Sequence, residues 1–371
     1  MFYVLLYLGW GVLIPLGLNS SSSYKIRQTS LREEVYDVRW TYSLFFAFTI
    51  TVMIKGIAFD TGTDFMYYHD HYKSVFYGYK YSWGDHTEFG YRFLLSVLTK
   101  LTSSSIAFFS LAAFIVTYST LKLSVFFGRG AFYTFLVWPI FMFTLSLNLY
   151  RQYFAIAFVY FVVYFLLCGK KRWSFIFSFL AVSFHVSSIV VIVAIWFIYT
   201  IKSFKINKFV IIGLILITTF SSHVVNDWLF SAIDVFQIVF GIANDHAYSS
   251  ENIFKSMYDS SIVKYIIMLT YVIWIWFGDK LIKGNWNFRF IYYLSVISFI
   301  VYPIFQQEIL SRINLYFAAF IPFFLGYLIY FYRNTKGHQK YIISAGLFLL
   351  GVRYIYYLFL QGQAHPFQLN L

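Results

Sequence analysis

Long apolar runs, separated by short polar segments, dominate the sequence of this 371-residue chain. A helix needs about 20 apolar residues to cross the hydrocarbon core of a bilayer. The predicted spans lie near residues 2–18, 40–59, 104–123, 131–147, 153–168, 209–225, 262–277, 290–305, 313–332 and 341–360. No alternating ten-residue pattern is present, which argues against an outer-membrane barrel. The pattern predicts an all-α polytopic membrane protein with roughly 10–12 transmembrane helices.

The stretch 174–201 does not fit a simple alternation of spans and loops. Basic residues flank it on both sides, at 170–172 and at 202–208. A single span would place one of these basic flanks outside the cell, whereas two half-length helices would keep both inside. We therefore predict a short re-entrant hairpin with His185 near its tip. The alternative is one tilted span that breaks the charge rule.

The distribution of charge predicts which loops face the cytoplasm. The first set of loops comprises 19–39, 122–130, 169–173, 202–208, 278–289 and 333–340. The second set comprises 60–103, 148–152, 226–261, 306–312 and 361–371. The first set holds 18 Lys and Arg and four acids, and the second holds seven Lys and Arg and 11 acids. Because basic loops stay in the cytoplasm, the second set and both termini are predicted to be external.

The overall composition supports this interpretation. The chain is 60% hydrophobic and 12% charged, about half the charged fraction that is usual in soluble proteins. The net charge of +13 is concentrated in the predicted cytoplasmic loops, so it indicates membrane topology and not a nucleic-acid partner. We predict one membrane domain, 1–371, with external segments near 60–103 and 226–261. The end of the first segment, from about Glu88 to Leu101, has the pattern of an amphipathic helix on the membrane face.

The first candidate for chemistry is the acidic segment that follows the second span. Asp64 lies in a Gly-containing turn just outside that span, where its carboxylate could orient a sugar hydroxyl or accept its proton. The nearby pair His69 and His71 is a weak zinc signal without a third ligand. The alternative is a solvated acidic loop.

A second external cluster surrounds Glu88. Glu88 and Arg92 are four residues apart, so a helix would bring their side chains together. Such a pair could bind sugar, or it could be a simple ion pair at the start of a helix.

The third cluster is a tight external turn with Arg151 as its charged residue. A guanidinium offers five donors in a planar fork, which suits phosphate oxygens, and it keeps its charge. The alternative is an arginine that extends to lipid headgroups.

A fourth cluster lies in the turn 306–316. Glu308 and Arg312 are four residues apart, and Tyr316 follows one turn later. A local salt bridge is the alternative to a role in binding. His185 is also ambiguous, because a histidine in an apolar run is either a buried core group or a proton carrier.

Taken together, the order and spacing of five motifs resemble the EpsG/Wzy-type family of polysaccharide polymerases. The motifs are GTDF-x-YY from residue 62, E-x-GY from 88, LYRQ-x-x-A from 149, FHVSS from 184 and SR-x-x-x-YF from 311. The resemblance covers roughly residues 55–320. It implies a GT-C-like glycosyltransferase of the bacterial inner membrane that uses neither metal nor cofactor. Its substrates would be oligosaccharide repeat units on undecaprenyl pyrophosphate, at the periplasmic face.

The resemblance also implies roles for individual residues. The catalytic candidates are Asp64, Glu88, Arg151, His185 and Arg312. The substrate-binding candidates are Tyr68, Tyr91, Tyr150, Gln152, Glu308 and Tyr316. The two arginines would hold the pyrophosphate leaving group, His185 would assist there, and Asp64 or Glu88 would be the base. The chain departs from the family in one place, where Lys55 is the nearest cation to the first motif.

Two alternative functions remain open on the sequence. An O-antigen ligase would use the same donor with a different acceptor. A transporter or flippase would move the lipid-linked unit, and Arg353 inside the last predicted span fits that function better. Expected partners are the lipid-linked oligosaccharide, membrane lipid, and a flippase and chain-length regulator of the same pathway.

Overall fold

The structure, a computed structural model, describes most of the chain. The described residues are 9–19, 24–28, 34–59, 64–79, 87–142, 149–201, 205–221, 261–282, 285–304, 308–333, 338–360 and 368–369. They form two compact units, Met1–Tyr199 with Pro322–Leu371 and Thr200–Ile321. The single membrane domain expected from the sequence stays a prediction.

Helices make up nearly all of the described structure. The helices before residue 170 are α1 (Ile14–Leu18, after a π-helical turn at Gly9–Leu13), α2 (Tyr42–Ile57), α3 (Phe65–Tyr77), α4 (Phe89–Leu101), α5 (Ile106–Phe126), α6 (Gly130–Met142) and α7 (Tyr150–Leu167). The later helices are α8 (Lys171–Phe184), α9 (Ser188–Thr200), α10 (Lys208–Phe220), α11 (Ser261–Leu281), α12 (Trp286–Val301), α13 (Glu308–Ala318), α14 (Ile321–Tyr332) and α15 (Gln339–Leu360). The short strands are β1 (Tyr24–Gln28), β2 (Glu34–Val38), β3 (Ala58–Phe59) and β4 (Gln368–Leu369).

Several of these helices have the length or the apolar character of membrane spans. Among the described residues, Ile106–Phe126, Tyr150–Leu167 and Ser311–Tyr332 are long and apolar enough to cross a bilayer. Shorter apolar helices are Gly9–Leu18, Tyr42–Ile57, Gly130–Met142, Ser188–Thr200, Lys208–Phe220 and Trp286–Val301. A mostly helical chain of this kind is consistent with the predicted polytopic membrane protein.

Helix α7 is the centre of the first unit. Fifteen of its 18 residues are buried, and it packs against α5 and α8. Because it is apolar on every side, it can bury its whole surface against other helices. Near its N-terminus the Tyr153 hydroxyl donates to the carbonyl of Met142 on α6. At its other end Gly169 adopts a left-handed conformation (φ 73°), which lets the chain turn into α8.

Helices α8 and α9 are antiparallel. Trp196 Nε1 on α9 donates to Ser178 Oγ on α8 at 3.3 Å, and Lys171 Nζ lies 5.8 Å from the Tyr199 ring centroid. These pairs are nearly equidistant in sequence from His185, which has an extended backbone (φ −159°) between the two helices. Each helix has 13 or 14 residues, about 20 Å in length, which is too short to span a bilayer alone.

The segment after α2, predicted to be external, contains a helix that the sequence pattern did not predict. Residues 65–77 form α3, which ends at Gly78 in a left-handed conformation (φ 72°). Phe65, Tyr68 and Tyr72 form its buried face. The amphipathic helix expected from about Glu88 to Leu101 is present as α4, Phe89–Leu101.

Two strand pairs were also not predicted. Strands β1 and β2 form an antiparallel hairpin, which the Asp37–Lys122 ion pair (2.7 Å) ties to α5. Strand β3, at the end of α2, pairs with β4 near the end of the chain, with Ala58 opposite Leu369.

The second unit contains α10 to α13. The Tyr271 and Phe299 rings stack at 4.2 Å between α11 and α12. The Arg289 guanidinium donates through Nε and Nη2 to the carbonyl of Ile282, both at 3.3 Å. The candidates Arg312 and Tyr316 belong to this unit, on α13. Arg353 lies on α15, but its side chain is outside the described residues, as is that of Glu308.

Candidate active site

Three predicted residues from separate parts of the sequence meet in the first unit. Glu88 is the residue that precedes α4, Arg151 lies in the first turn of α7, and His185 connects α8 to α9. Each lies at the end of a helix, so the helices position them while leaving their side chains partly accessible. The exposed fractions are 14% for Glu88, 24% for Arg151 and 18% for His185.

The Glu88 carboxylate bridges the other two side chains. Arg151 Nη1 donates to Glu88 Oε2 at 2.5 Å, and His185 Nδ1 lies 2.6 Å from Glu88 Oε1. These are short, charge-assisted hydrogen bonds. The structure does not contain the expected ion pair between Glu88 and Arg92. Arg92 is exposed on α4, and Glu88 bonds instead to Arg151 and His185.

The environment of Glu88 keeps it ionised. Burial by itself favours the neutral acid, but the hydrogen bond with His185 and the charge of Arg151 outweigh it and lower the pKa of Glu88 to about 2. An ionised carboxylate can only accept hydrogen bonds. His185 Nδ1 must therefore carry the hydrogen, which directs Nε2 away from Glu88.

Tyrosines surround the guanidinium. The Tyr91 ring centroid lies 5.9 Å from Arg151 Cζ, within the range of a cation–π contact. Tyr68 is buried, and its ring contacts Tyr91 edge-on at 5.9 Å and Tyr150 at 5.2 Å. Burial raises the pKa of the Tyr68 hydroxyl, although the adjacent Arg151 opposes this effect. At neutral pH Tyr68 is a neutral donor beside a fixed cation.

Helix ends add to the positive potential at this site. The N-termini of α4 and α7 are at Glu88 and Arg151, and α9 begins three residues after His185. Helix N-termini carry partial positive charge and donate backbone hydrogen bonds. The arrangement therefore combines a fixed cation, an imidazole hydrogen-bonded through Nδ1 to a carboxylate, and helix ends that favour an anion.

Comparison with known protein families assigns the chain. A model of the EpsG family matches residues 41–369, which is most of the sequence. The chain belongs to the EpsG family. This confirms the resemblance found in the sequence motifs and extends it beyond residues 55–320 at both ends. No curated protein and no solved structure shows a significant match. Membership of the EpsG family suggests a membrane protein of the polysaccharide-polymerase type.

The EpsG family match includes the remaining site candidates, and the structure locates some of them. Asp64 is half-buried before α3, and its charge acts on Tyr68. Gln152 and Tyr150 are buried at the start of α7. Arg312 and Tyr316 lie in the second unit, so the structure does not group them with Glu88. Their predicted roles are untested.

Lys55, the departure from the family pattern, is also near this site. Its side chain is 2% exposed on α2, and Nζ lies 5.4 Å from the Tyr150 ring centroid. Tyr150 directly precedes Arg151, so the Lys55 amine lies beside the residue next to Arg151.

One neighbour of the site was not identified from the sequence. His71, on α3, is 3% exposed, and its Nδ1 lies 3.2 Å from the Tyr91 hydroxyl. The sequence suggested only a weak metal pair with His69, but His69 Nδ1 lies 2.8 Å from Ser105 Oγ. Within the described residues no group of three or more His, Cys, Asp or Glu could hold a metal ion. That the protein works without metal stays a prediction.

Proposed function

We propose that this EpsG-family protein is a glycosyltransferase that polymerises oligosaccharide repeat units carried on undecaprenyl pyrophosphate. Its product would be O-antigen or a related polysaccharide, made at the periplasmic face of a bacterial inner membrane. The observation that carries the proposal is the Glu88 carboxylate bridging Arg151 and His185 at the ends of three helices. Family membership supports the same class of protein.

The proposed reaction transfers the growing chain to the incoming unit. A hydroxyl at the non-reducing end of the incoming repeat attacks C1 of the reducing-end sugar of the growing chain. A glycosidic C1–O bond forms, and the C1–O bond to undecaprenyl pyrophosphate breaks. The hydroxyl proton goes to a base, and the electron pair of the broken bond leaves with the pyrophosphate.

Arg151 would bind the pyrophosphate and stabilise the charge that develops on it. Its position suits this role, because the Tyr68 and Tyr91 rings limit its movement while its exposed edge stays accessible. Arg312 would supply a second cation, and Glu308 and Tyr316 would contact substrate beside it.

His185 fits the role of base better than Glu88. A carboxyl with a pKa of about 2, held by two hydrogen bonds, is a weak proton acceptor. Glu88 would instead orient the imidazole through Nδ1 and leave Nε2 to accept the hydroxyl proton. Asp64 would orient sugar hydroxyls, and Tyr68 and Tyr91 would act through Arg151.

The proposed topology brings the lipid-linked substrates to this site from the membrane. Helices α8 and α9 would form a re-entrant hairpin that enters from the cytoplasmic side and places His185 toward the outer leaflet. The polar residues at its tip would then be tolerated because they are packed against α4 and α7. A GT-C-like architecture and periplasmic termini belong to the same proposal.

Polymerisation by the purified protein tests the function. Lipid-linked repeat units from a strain that lacks the gene would be incubated with the protein in proteoliposomes, and products would be resolved on a gel. We expect the wild type to form ladders and Arg151→Ala to lose about 100-fold or more in rate, as when an oxyanion donor is removed. The matched control is Arg92→Ala, which removes an exposed arginine near Glu88 and should change the rate less than twofold.

The same experiment separates the proposal from its alternatives. A ligase would transfer units only after lipid A-core acceptor is added, and a flippase would leave the repeat units unjoined. Normal ladders from Arg151→Ala would contradict the role of this residue while leaving the polymerase activity intact.

A further inference from the structure

His71 and Tyr91 form a buried pair next to Arg151. His71 lies on α3 and Tyr91 on α4, and each is at most 3% exposed. Their polar atoms are 3.2 Å apart, and the face of Tyr91 lies 5.9 Å from Arg151 Cζ. Tyr91 thus connects His71 to the Arg151 guanidinium. Neither the family motifs nor the proposed reaction gives His71 a role.

A neutral His71 can accept a hydrogen bond from the Tyr91 hydroxyl. Burial lowers the pKa of His71, and the positive charge of Arg151 lowers it further. A neutral imidazole with an unprotonated Nδ1 accepts a hydrogen bond, and the Tyr91 hydroxyl is then the donor. Donation from a phenol shifts electron density toward its ring, which strengthens the attraction of the ring for a cation on its face.

We propose that His71 is a positioning residue that orients Arg151 through Tyr91. By holding the Tyr91 hydroxyl, His71 fixes the ring against which the guanidinium packs. This packing keeps the Arg151 guanidinium where it donates to the Glu88 carboxylate. The link to pyrophosphate binding rests on the proposed function, whereas the orientation of Arg151 by His71 does not.

His69 provides a matched comparison within the same helix. It lies two residues from His71, which on an α-helix is about 200° around the axis. Its Nδ1 contacts Ser105 Oγ at 2.8 Å, at the start of α5. A general need for histidine in α3 would affect both residues, but a role through Tyr91 affects only His71.

The first test measures Arg151 itself. Purified full-length protein in nanodiscs would be treated with phenylglyoxal, which modifies accessible guanidinium groups, and modification of Arg151 would be followed by mass spectrometry. We expect His71→Ala and Tyr91→Phe to increase the rate of modification several-fold. His71→Asn, whose amide oxygen can accept from Tyr91, and His69→Ala should match the wild type.

The second test measures turnover with lipid-linked repeat units. Misplacement of a positioned group costs about tenfold to a hundredfold in rate, so His71→Ala and Tyr91→Phe should lower kcat with little change in KM. Because both act through one contact, the double variant should be no slower than the slower single variant. His71→Asn should restore most of kcat.

The outcomes distinguish this inference from the proposed function. If His71→Ala and Tyr91→Phe match the wild type in the rate of Arg151 modification and in kcat, the inference is wrong. If Arg151 modification increases in these variants but the wild type does not polymerise repeat units, the proposed function fails. The orientation of Arg151 by His71 then still stands. If His71→Ala does not fold, Tyr91→Phe, which retains the ring, and His71→Asn, which retains an acceptor for the Tyr91 hydroxyl, decide the question.

Discussion

Glu88 accepts hydrogen bonds both from the side chain proposed to bind pyrophosphate and from the proposed base. Its two oxygens use Arg151 Nη1 and His185 Nδ1, at 2.5 and 2.6 Å. A pyrophosphate that approaches Arg151 must therefore displace the carboxylate or share the guanidinium with it. Under the proposed mechanism, Glu88 would compete with the leaving group for Arg151 while orienting His185 for proton transfer.

These two effects of Glu88 predict opposite changes in binding and turnover. In Glu88→Gln, removal of the negative charge should tighten the binding of inorganic pyrophosphate, measured by titration calorimetry, by about tenfold. Loss of the ionic partner of His185 should lower kcat by at least that factor.

The control for this prediction is Asp70→Asn, which removes an exposed acid on α3. It should change neither pyrophosphate binding nor kcat appreciably. Unchanged turnover in Glu88→Gln would contradict the orienting role.

The ionisation of Glu88 also predicts a pH dependence of stability. Its pKa falls from an ordinary value of 4.5 to about 2 in the folded protein. A lowered carboxyl pKa stabilises the folded state above pH 4.5, and this contribution is lost as the pH falls toward 2.

Thermal unfolding in detergent should therefore show a fall in Tm over this range, and Glu88→Gln should show a smaller fall. An equal fall in both proteins would mean that other groups control acid unfolding.

The sequence identified Glu88, Arg151 and His185 one at a time but could not show that they meet. Arg151 is 63 residues from Glu88 and His185 is 97 residues from it, so only tertiary packing brings them together. Local spacing instead favoured a pair with Arg92. His71 was missed because a His-x-His motif suggests a metal pair, whereas on a helix the two rings point in different directions.

At the scale of elements, the close contact of α4 with α8 sets the geometry of the site. A methyl group at Gly90 would lie 2.5 Å from Ser183 Oγ and 2.8 Å from both Phe184 Cδ2 and the Ser183 carbonyl oxygen. Gly90 is two residues from Glu88, and Ser183 is two residues from His185. The glycine therefore allows the two ends to approach closely enough for the Glu88–His185 hydrogen bond.

Gly90→Ala should separate these helix ends. We expect it to lower the free energy of unfolding by about 1–3 kcal/mol through overpacking, and to lower polymerisation more than this loss of folded protein explains. The measurements are unfolding in denaturant and the rate per folded molecule.

The matched control is Gly213→Ala on α10, where an added methyl group meets nothing within 4 Å. It should be neutral or stabilising by up to about 1 kcal/mol, because alanine favours a helix. Full activity in Gly90→Ala would contradict the importance of this close contact.

Apolar runs predicted several helices well. The span expected at 40–59 is α2, Tyr42–Ile57, where Thr41 caps the N-terminus by accepting from the backbone of Leu44. Helix α3 was missed because its many Tyr, His and Asp residues suggested a polar loop. The spacing of Phe65, Tyr68 and Tyr72 was the available signal, since i, i+3 and i+7 share one helix face.

At the scale of the whole molecule, the charge pattern predicts which ends of the helices are cytoplasmic. Contacts within the first unit establish the antiparallel course of α8 and α9, but they do not define a membrane side. That information is carried by Lys and Arg in the loops, which act during insertion.

Cysteine labelling tests the predicted topology. Cys168 is the single cysteine of the chain, so Cys168→Ser provides a background without cysteine. In that background Lys170→Cys and Lys205→Cys, at exposed positions on either side of the hairpin, should both react only with reagents that enter the cytoplasm.

Tyr79→Cys, at an exposed position after α3, should react from the periplasm. Labelling of Lys170→Cys and Lys205→Cys from opposite sides would contradict the re-entrant topology.

The burial of α7 has a consequence for how the specificity of such a protein can change. Fifteen of its 18 residues are packed against protein, so most substitutions there disturb the core. Helix α3 has an outward side with exposed residues such as Met66 and Asp70, where substitutions meet solvent. Libraries intended to broaden the range of accepted sugars should therefore vary α3 and retain α7, and natural divergence of substrate preference would follow the same route.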